Sequence, residues 1–334
     1  MNIESIIDFY KNSTTDVLAR EANNICEQNY GNNIYLRGLI EFSNYCSRDC
    51  LYCGIRKSNH NVTRYRLTHK QIINAVKKGY SIGLKTFVLQ SGEDNYYSID
   101  KLCRLLEDTN NVTEGNAAIT LSCGIFTKTQ YKKLKQSGAD RYLLRFETSS
   151  PKLHSYLRNG ISLKRRLKAL EDLKECDYEV GSGYMVGLPD ETEDIRIENA
   201  KLCHKMKLDM IGIGPFIPHK DTPLKNSSQC NIDMTIRAVA LVRMLLPKAN
   251  IPATTASGTL DSAGREKVLR SGANVLMPNI TPKEYKKYYL LYPNKICLDE
   301  DGIDCIGCLK ERLSKINKNM VFDRGDSKNR ELSN

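Results

Sequence analysis

Tryptophan is absent from this chain of 334 residues, and histidine occurs only 5 times. No block of lysine and arginine is interleaved with aromatics, so the stacking platforms and charged groove of a nucleic-acid binder are missing. Long apolar runs are missing too. The stretch Ala238–Leu246 is broken by Arg243 and falls far short of the roughly 20 apolar residues a membrane span needs. The opening residues Met1-Asn2-Ile3-Glu4-Ser5-Ile6-Ile7-Asp8 carry acids and lack the apolar core of a signal peptide. Cysteine, at 12 residues, is too sparse for a secreted disulfide scaffold. A cytoplasmic chain with reduced thiols, without nucleic-acid or membrane partners, is expected.

What is present agrees with an intracellular enzyme. Hydrophobic residues make up 40% and charged residues 27%, enough apolar material for a sizeable core. The formal charge of +11 is spread along helix-like segments such as Lys132-Lys133-Leu134-Lys135 and Lys164-Arg165-Arg166, which reads as a solvated basic face. An anionic small molecule or an acidic protein partner stays open.

Periodicity alternates apolar, strand-like runs with amphipathic helices. The strands are expected at Ile34–Phe42, Thr86–Gln90, Ala117–Ser122, Arg141–Glu147, Glu179–Val186, Met210–Gly214, Pro252–Thr255 and Val275–Pro278. Helical patterns cover Thr68–Ile82, Thr127–Gln136, Leu163–Lys174, Glu191–Met206, Thr235–Leu246 and Gly264–Arg270. Thr68 with Gln71 forms a capping-box pattern, and Gly83, Gly138 and Gly272 fall where helices should end. Eight strands with intervening helices predict the α/β class, as a complete (βα)8 TIM-type barrel. A doubly wound open sheet is the alternative. Residues 1–30 read as a helical extension, 31–295 as the barrel and 296–334 as a C-terminal segment that frays after about Asn319. The active site of such a barrel lies where its strands end. The loops after Phe42, Gln90, Glu147, Val186 and Thr254 would therefore share one rim.

The first of those loops carries the strongest signal. Cys46, Cys50 and Cys53 stand in the spacing Cys-x3-Cys-x2-Cys. A 4Fe-4S cubane is held by thiolates, and three of them leave one iron open. The spacing resembles that of radical SAM enzymes, whose open iron chelates S-adenosylmethionine. An electron from the cluster then breaks the sulfonium S–C bond and releases a 5′-deoxyadenosyl radical. A zinc site, or a disulfide with a spare thiol, is the plainer alternative. Zinc sites collect four ligands as two close pairs, and no second pair lies nearby.

Longer motifs narrow the resemblance. Arg37-Gly38-Leu39-Ile40-Glu41-Phe42-Ser43-Asn44-Tyr45-Cys46, Val88-Leu89-Gln90-Ser91-Gly92-Glu93-Asp94, Asp140-Arg141-Tyr142-Leu143-Leu144-Arg145, Ile211-Gly212-Ile213-Gly214-Pro215-Phe216-Ile217-Pro218-His219 and Ile251-Pro252-Ala253-Thr254-Thr255-Ala256 closely resemble the HydE family. These are the radical SAM maturases that help assemble the H-cluster of iron-only hydrogenases. The likeness runs from about residue 25 to about 310. It implies that Cys46, Cys50 and Cys53 hold the cubane and that S-adenosylmethionine lies against Tyr52, Gln90, Ser91, Gly92, Glu93, Glu147, Arg166 and Met210. Within that set Glu147 would hold the ribose and Arg166 the methionine carboxylate, a bidentate task lysine could not imitate. Taken alone, Glu147 and Arg166 would read as surface charges or ion pairs, and Met210 as core packing.

The resemblance also implies a substrate inside the barrel. Thr120, Arg141, Arg145, Thr254, Thr255 and Tyr292 would line its cavity and hold anionic groups. The family acts on a cysteine-ligated Fe(CO)2(CN) precursor made by a sister radical SAM enzyme, so transient contact with the other maturases and a reductant protein is implied. Cys297, Cys305 and Cys308 match an accessory site for a second 2Fe-2S or 4Fe-4S cluster, with structural zinc as rival. Cys26, Cys103, Cys123, Cys176, Cys203 and Cys230 lack ligand spacing and read as buried small hydrophobes, Cys123 standing nearest the rim. His219 sits in a loop that can shape the cavity mouth. Methylornithine synthase and biotin synthase are the nearest alternative enzymes, and a non-catalytic metal- or RNA-binding protein is the alternative of another class. Gln90–Asp94 and the C-terminal cysteines favour the HydE family.

Overall fold

The structure is a computed structural model that describes residues 2–299 and 302–330, and of residues 302–305 the backbone alone. Helices Ile3–Asn12 and Thr15–Tyr30 precede the barrel, separated because the Thr14 side chain accepts from the Val17 amide and starts a new helix. The first barrel strand is broken at Arg37 into β1 (Asn33–Leu36) and β2 (Gly38–Ser43). It is followed by β3 (Thr86–Ser91), β4 (Ala118–Ser122), β5 (Arg141–Leu143), β6 (Glu179–Val186), β7 (Met210–Pro215) and β8 (Val275–Leu276). Strands β2 to β7 pair in parallel and in chain order.

Between β7 and β8 the ladder thins to single parallel bridges, Met210 with Asn250 and Pro252 with Val275. Strand β8 then pairs with β1, and Asn279 bridges Leu39, so the ring closes on eight parallel positions. Closure rules out the doubly wound open sheet. Strands β2, β6 and β7 are buried along their whole length, as expected when helices cover one face and a barrel interior the other.

The helix signals behave as chemistry requires. Thr68 and Gln71 cap one another's orphan backbone groups, and Thr127 with Gln130 repeats the device. Gly83, Gly138 and Gly272 adopt φ of 98°, 108° and 103° just past helix ends, a region that side chains with a Cβ avoid. Two local readings are corrected. The run Pro252–Thr255 keeps only a bridge, because Thr254 caps a short helix, Thr255–Leu260, and turns the backbone away from the sheet. A helix at Ile99–Val112, started by Ser98, fills a gap where none was expected.

The expectation that the chain frays after Asn319 is overturned. Residues Asn319–Val321 form a ninth strand, β9, parallel to β1, and the chain then crosses the end of the barrel where the strands begin. There the carbonyl of Arg324 accepts from Thr86 and Arg141, that of Gly325 from Arg37 and Asn250, and Ser327 bonds Glu179 and Asp209. The polarity of the tail thus serves buried polar groups that would otherwise lack partners. This end is the floor of the barrel, and the opposite one is its rim.

Candidate active site

The Cys46–Cys53 loop leaves β2 at the rim and is pinned by backbone bonds on three sides. Ser47 donates to the Glu93 carbonyl at 2.8 Å, Leu51 to that of Leu157 at 2.9 Å, and Gly54 to that of Leu291 at 2.9 Å. The Cys46 sulfur accepts from the amides of Arg48 and Glu93, each at 3.4 Å. Gly92 permits this approach, since a Cβ there would stand 2.2 Å from the Tyr45 carbonyl oxygen and 2.8 Å from Cys46 Cβ. Arg66 braces the loop from outside, bonding Asp94 at 2.7 and 2.9 Å while its guanidinium lies 3.7 Å from the Tyr45 ring centre. Burial would raise the Asp94 carboxyl, but the bonds from Arg66 and Ser43 hold it below its ordinary value.

Burial raises the thiols of Cys46, Cys50 and Cys53 above their ordinary range, Cys50 to about 11, so a metal taking them as thiolates must displace protons. Among the described residues no three His, Cys, Asp or Glu side chains converge closely enough to hold a single ion. A zinc site requires that convergence, whereas a cubane carries its thiolates on separate irons.

All three cysteines open onto a cavity of about 350 Å³ that runs down the barrel. Tyr52, Gln90, Ser91, Gly92, Glu93, Glu147, Arg166, Thr120, Arg145, Thr254, Thr255, Tyr292 and Met210 line it, so residues scattered over 240 positions meet in one space. Glu93 is gripped by three arginines: Arg48 Nε at 2.5 Å, Arg158 Nη2 at 3.3 Å and Arg166 Nη2 at 3.5 Å. Glu147 holds a left-handed backbone, φ 67°, fixed because its amide donates to Gly183 and its carbonyl accepts from Met185. A non-glycine residue in that region is strained, and the strain is tolerated where it aims a side chain. Glu147 and Arg166 are buried, at 8% and 3% exposure, which removes their reading as surface charges.

Several of these groups lack partners. Thr120 Oγ1, Nε and Nη2 of Arg145 and Arg166, and Glu147 Oε2 are buried without a hydrogen bond, although Arg145 Nη2 stands 3.1 Å from that Glu147 oxygen. Buried arginine forks and a carboxylate left unbonded are costly unless a polar ligand joins them. Together with the thiols, this donor set fits a thiolate-held cluster beside a charged, hydroxyl-bearing cofactor. Gln90 donates to the Tyr289 hydroxyl at 3.3 Å, and the Ser91 hydroxyl donates to the Gly92 carbonyl at 2.7 Å. Thr254 caps its helix through the Ser257 amide.

One expected site residue is relocated, and another lies at the floor end of the cavity. Arg141 opens β5, and its fully buried guanidinium turns to the floor, with Nη2 2.6 Å from Asp326 Oδ1 and Nε 3.0 Å from Glu179 Oε2. It does not line the cavity, because the tail supplies its carboxylate and carbonyl partners. Met210 opens β7 at the same end and meets Arg37, whose Nη1 is 2.7 Å from its sulfur, so it lies away from the cysteine loop. Cys308 is exposed, Cys297 is half-buried with Arg265 Nη2 at 3.9 Å, and the Cys305 side chain lies outside the described residues. Cys26, Cys103, Cys123, Cys176, Cys203 and Cys230 are buried as expected. His219 packs its ring against Gly54 and accepts from the Asp221 amide at 3.1 Å, so it braces the cysteine loop from behind.

Motif reading missed Arg48, Arg158, and the buried pair of Lys295 and Glu41, at 2.5 Å, in the cavity wall. Arg48 was in view inside the cysteine loop. Nothing local marks Lys295 or Arg158, whose partners lie 254 and 65 positions away.

Comparison with known proteins agrees with this geometry. The model of the radical SAM superfamily matches residues 40–203. Over 313 residues the chain is 44% identical to the FeFe hydrogenase maturase subunit HydE of Thermotoga maritima, covering 94% of this chain and 89% of that protein. It is 29% identical over 259 residues to the 3-methylornithine synthase of Methanosarcina acetivorans, covering 77% and 72%. The crystal structure of methylornithine synthase PylB superposes with a TM-score of 0.83 at 24% identity, over 96% of this chain and 94% of that one, which shows the shared fold. No helix among the described residues is long and apolar enough to cross a membrane. By the extent of its identity with the Thermotoga protein, and with the cysteine loop set in a closed barrel, the chain belongs to the HydE family of radical SAM enzymes.

Proposed function

We propose that Cys46, Cys50 and Cys53 hold a 4Fe-4S cubane with one open iron, and that the chain reductively cleaves S-adenosylmethionine to act on a cysteine-ligated Fe(CO)2(CN) complex during assembly of the FeFe-hydrogenase H-cluster. The observation that carries the reading is one barrel cavity bounded by three thiols, that of Cys50 buried and those of Cys46 and Cys53 half-buried, and by Arg145, Arg166, Glu147 and Thr120 atoms without a hydrogen bond along its wall. The 44% identity to a hydrogenase maturase supports the substrate class.

When bound, the cluster and cofactor together supply the 5′-deoxyadenosyl radical, with one electron taken from a low-potential reductant. The remaining work belongs to side chains. Arg166, whose Nε and Nη2 make no hydrogen bond and whose nearest anion is Glu93 at 3.5 Å, would turn its fork to the methionine carboxylate, and Glu93 its carboxylate to the ammonium. Glu147, with one oxygen unbonded, accepts from ribose hydroxyls. Thr120, Arg145, Thr254, Thr255 and Tyr292 hold the anionic groups of the substrate, and the closed walls exclude water from the reacting atoms. Cys297, Cys305 and Cys308 would take a dispensable second 2Fe-2S or 4Fe-4S cluster. The reductant protein and the other maturases are its transient partners.

Anaerobic reconstitution tests the first half: with iron, sulfide, reductant and S-adenosylmethionine the chain should release 5′-deoxyadenosine, and Cys50→Ala should release none. Complementation of a maturase-deficient hydrogenase strain tests the second, with Cys305→Ala tolerated. Iron uptake without 5′-deoxyadenosine, or conversion of lysine to methylornithine by a chain that fails to complement, overturns the reading.

A further inference from the structure

Arg158 belongs to no sequence motif, yet it touches both halves of the site. It follows the helix Pro151–Leu157, whose last carbonyl accepts the Leu51 amide from within the cysteine loop. Its Nη1 donates to the Tyr52 hydroxyl and its Nη2 to Glu93 Oε1, both at 3.3 Å, while its buried Nε makes no hydrogen bond. Arginine stays charged throughout the working pH range. Arg158 lines the same cavity as Cys46, Cys50 and Cys53.

Other charges face the same loop. Glu93 and Glu147 line the same cavity with the opposite sign, and the Glu93 amide donates to the Cys46 sulfur. Arg48 and Arg166 share the charge of Glu93, and Arg145 stands beside Glu147. Arg64 faces Cys46 and Cys53 but is half-buried, its guanidinium spent on the carbonyls of Asn44, Ile55, Arg56 and Asn59. Arg158 is thus a buried cation of this cavity, bonded to the residue that stands between Cys50 and Cys53.

A cubane that accepts one electron from a low-potential one-electron reductant gains one negative charge. In a buried, low-dielectric site that gain is unfavourable unless a fixed positive charge faces it, and cluster potentials follow net charge, hydrogen bonding and exposure. We propose that Arg158 is a positioning residue that sets the reduction potential of the cubane, stabilising its reduced state while tying the cysteine loop to Glu93. The inference rests on the cluster assignment above.

The test uses the full chain, anaerobically reconstituted with iron and sulfide, and follows the paramagnetic signal of the reduced cubane in a redox titration, with and without S-adenosylmethionine. Arg158→Gln should load native amounts of iron, and its ratio of reduced to oxidised cluster at a fixed potential should fall about tenfold, a shift of about 59 mV to more negative values. Arg158→Lys, which keeps the charge without the fork, should titrate near the native potential. A loaded Arg158→Gln protein with native potential, or an Arg158→Lys protein shifted as far as the glutamine variant, overturns the inference. Should Arg158→Gln fail to load, Arg158→Lys decides alone: a native potential supports the role of charge, and an empty or shifted protein refutes it. If the native chain itself loads no cubane, the cluster assignment fails first. A native cubane with an indifferent Arg158 sinks only this inference.

Discussion

Replacing Arg141 by methionine distinguishes a stabilising arginine from a substrate-binding one. Its guanidinium is fully buried, 2.6 Å from Asp326 and 3.0 Å from Glu179, and it donates to Thr86 at 3.2 Å and to the Arg324 carbonyl at 2.7 Å. Glu179 is itself buried, so the Arg141→Met chain must either keep an unpaired carboxylate inside or protonate it. Breaking one side of a buried ion pair costs about 3–5 kcal/mol. Asp326 adds little, because it is 55% exposed and water can replace its partner. A chain of this length has an unfolding entropy of roughly 0.7 kcal/mol/K, so the melting temperature should fall by about 4–7 °C. Calorimetry of the reconstituted protein measures the shift, and single-turnover assays at a temperature where both proteins are folded should give unchanged saturation by the iron-complex substrate. A variant that melts like the native chain yet no longer binds its substrate would show that Arg141 serves the cavity after all.

Three further outcomes follow from separate contacts. Gly92→Ala should lower the iron retained per chain, because the new methyl meets the Tyr45 carbonyl and Cys46 Cβ; native iron content, read by metal analysis, would refute the clash. Burial raises Glu191 to about 7, above its unfolded value of 4.5, so its folded form binds more protons between those values and the stability it contributes is lost as pH rises through about 7. Glu191→Gln should therefore flatten the fall in melting temperature between pH 5 and 8, and a parallel fall in both proteins would refute it. Ending the chain at Lys318 strips partners from Thr86, Arg141, Asn250, Glu179 and Asp209, and should lower the melting temperature at least as far as Arg141→Met. Equal melting of truncated and full chains would mean that the tail does not close the floor.

Much of the barrel was legible because its signals are local. The strand Glu179–Val186 and the capping box at Thr68 depend on residues within a few positions of one another. The cysteine loop is equally local, and the rule that barrel sites lie at strand ends placed it beside Glu93, Glu147 and Thr255 before any coordinates. The helix Ile99–Val112 escaped because the asparagines and threonine in its last turn, Thr109-Asn110-Asn111, blur its periodicity. The tail escaped for the opposite reason. Its polar composition is that of a solvated end, and only the buried groups waiting at the floor make it structural.

Arg141 and Arg145 show where local reading stops. Both are arginines of one strand and the loop after it, and a resemblance assigns both to the cavity. Along a strand their Cα atoms stand roughly 13 Å apart, at about 3.3 Å per residue, which takes one toward the floor and the other toward the rim. Arg145 faces Glu147 from the cavity wall, whereas Arg141 is bonded to a carboxylate 185 positions further on. Side-chain chemistry is identical at the two positions, so it cannot separate their roles. What separates them is whether another part of the chain has already supplied an anion. A buried arginine that the fold has satisfied holds the barrel together, and one that the fold has left unsatisfied is available to a ligand. Arg145 and Arg166 line the cavity and Arg141 does not. Arg158 is bonded through both terminal nitrogens like Arg141 but lines the cavity like Arg145, as a residue should that holds a loop in place and lends its charge to what the loop carries.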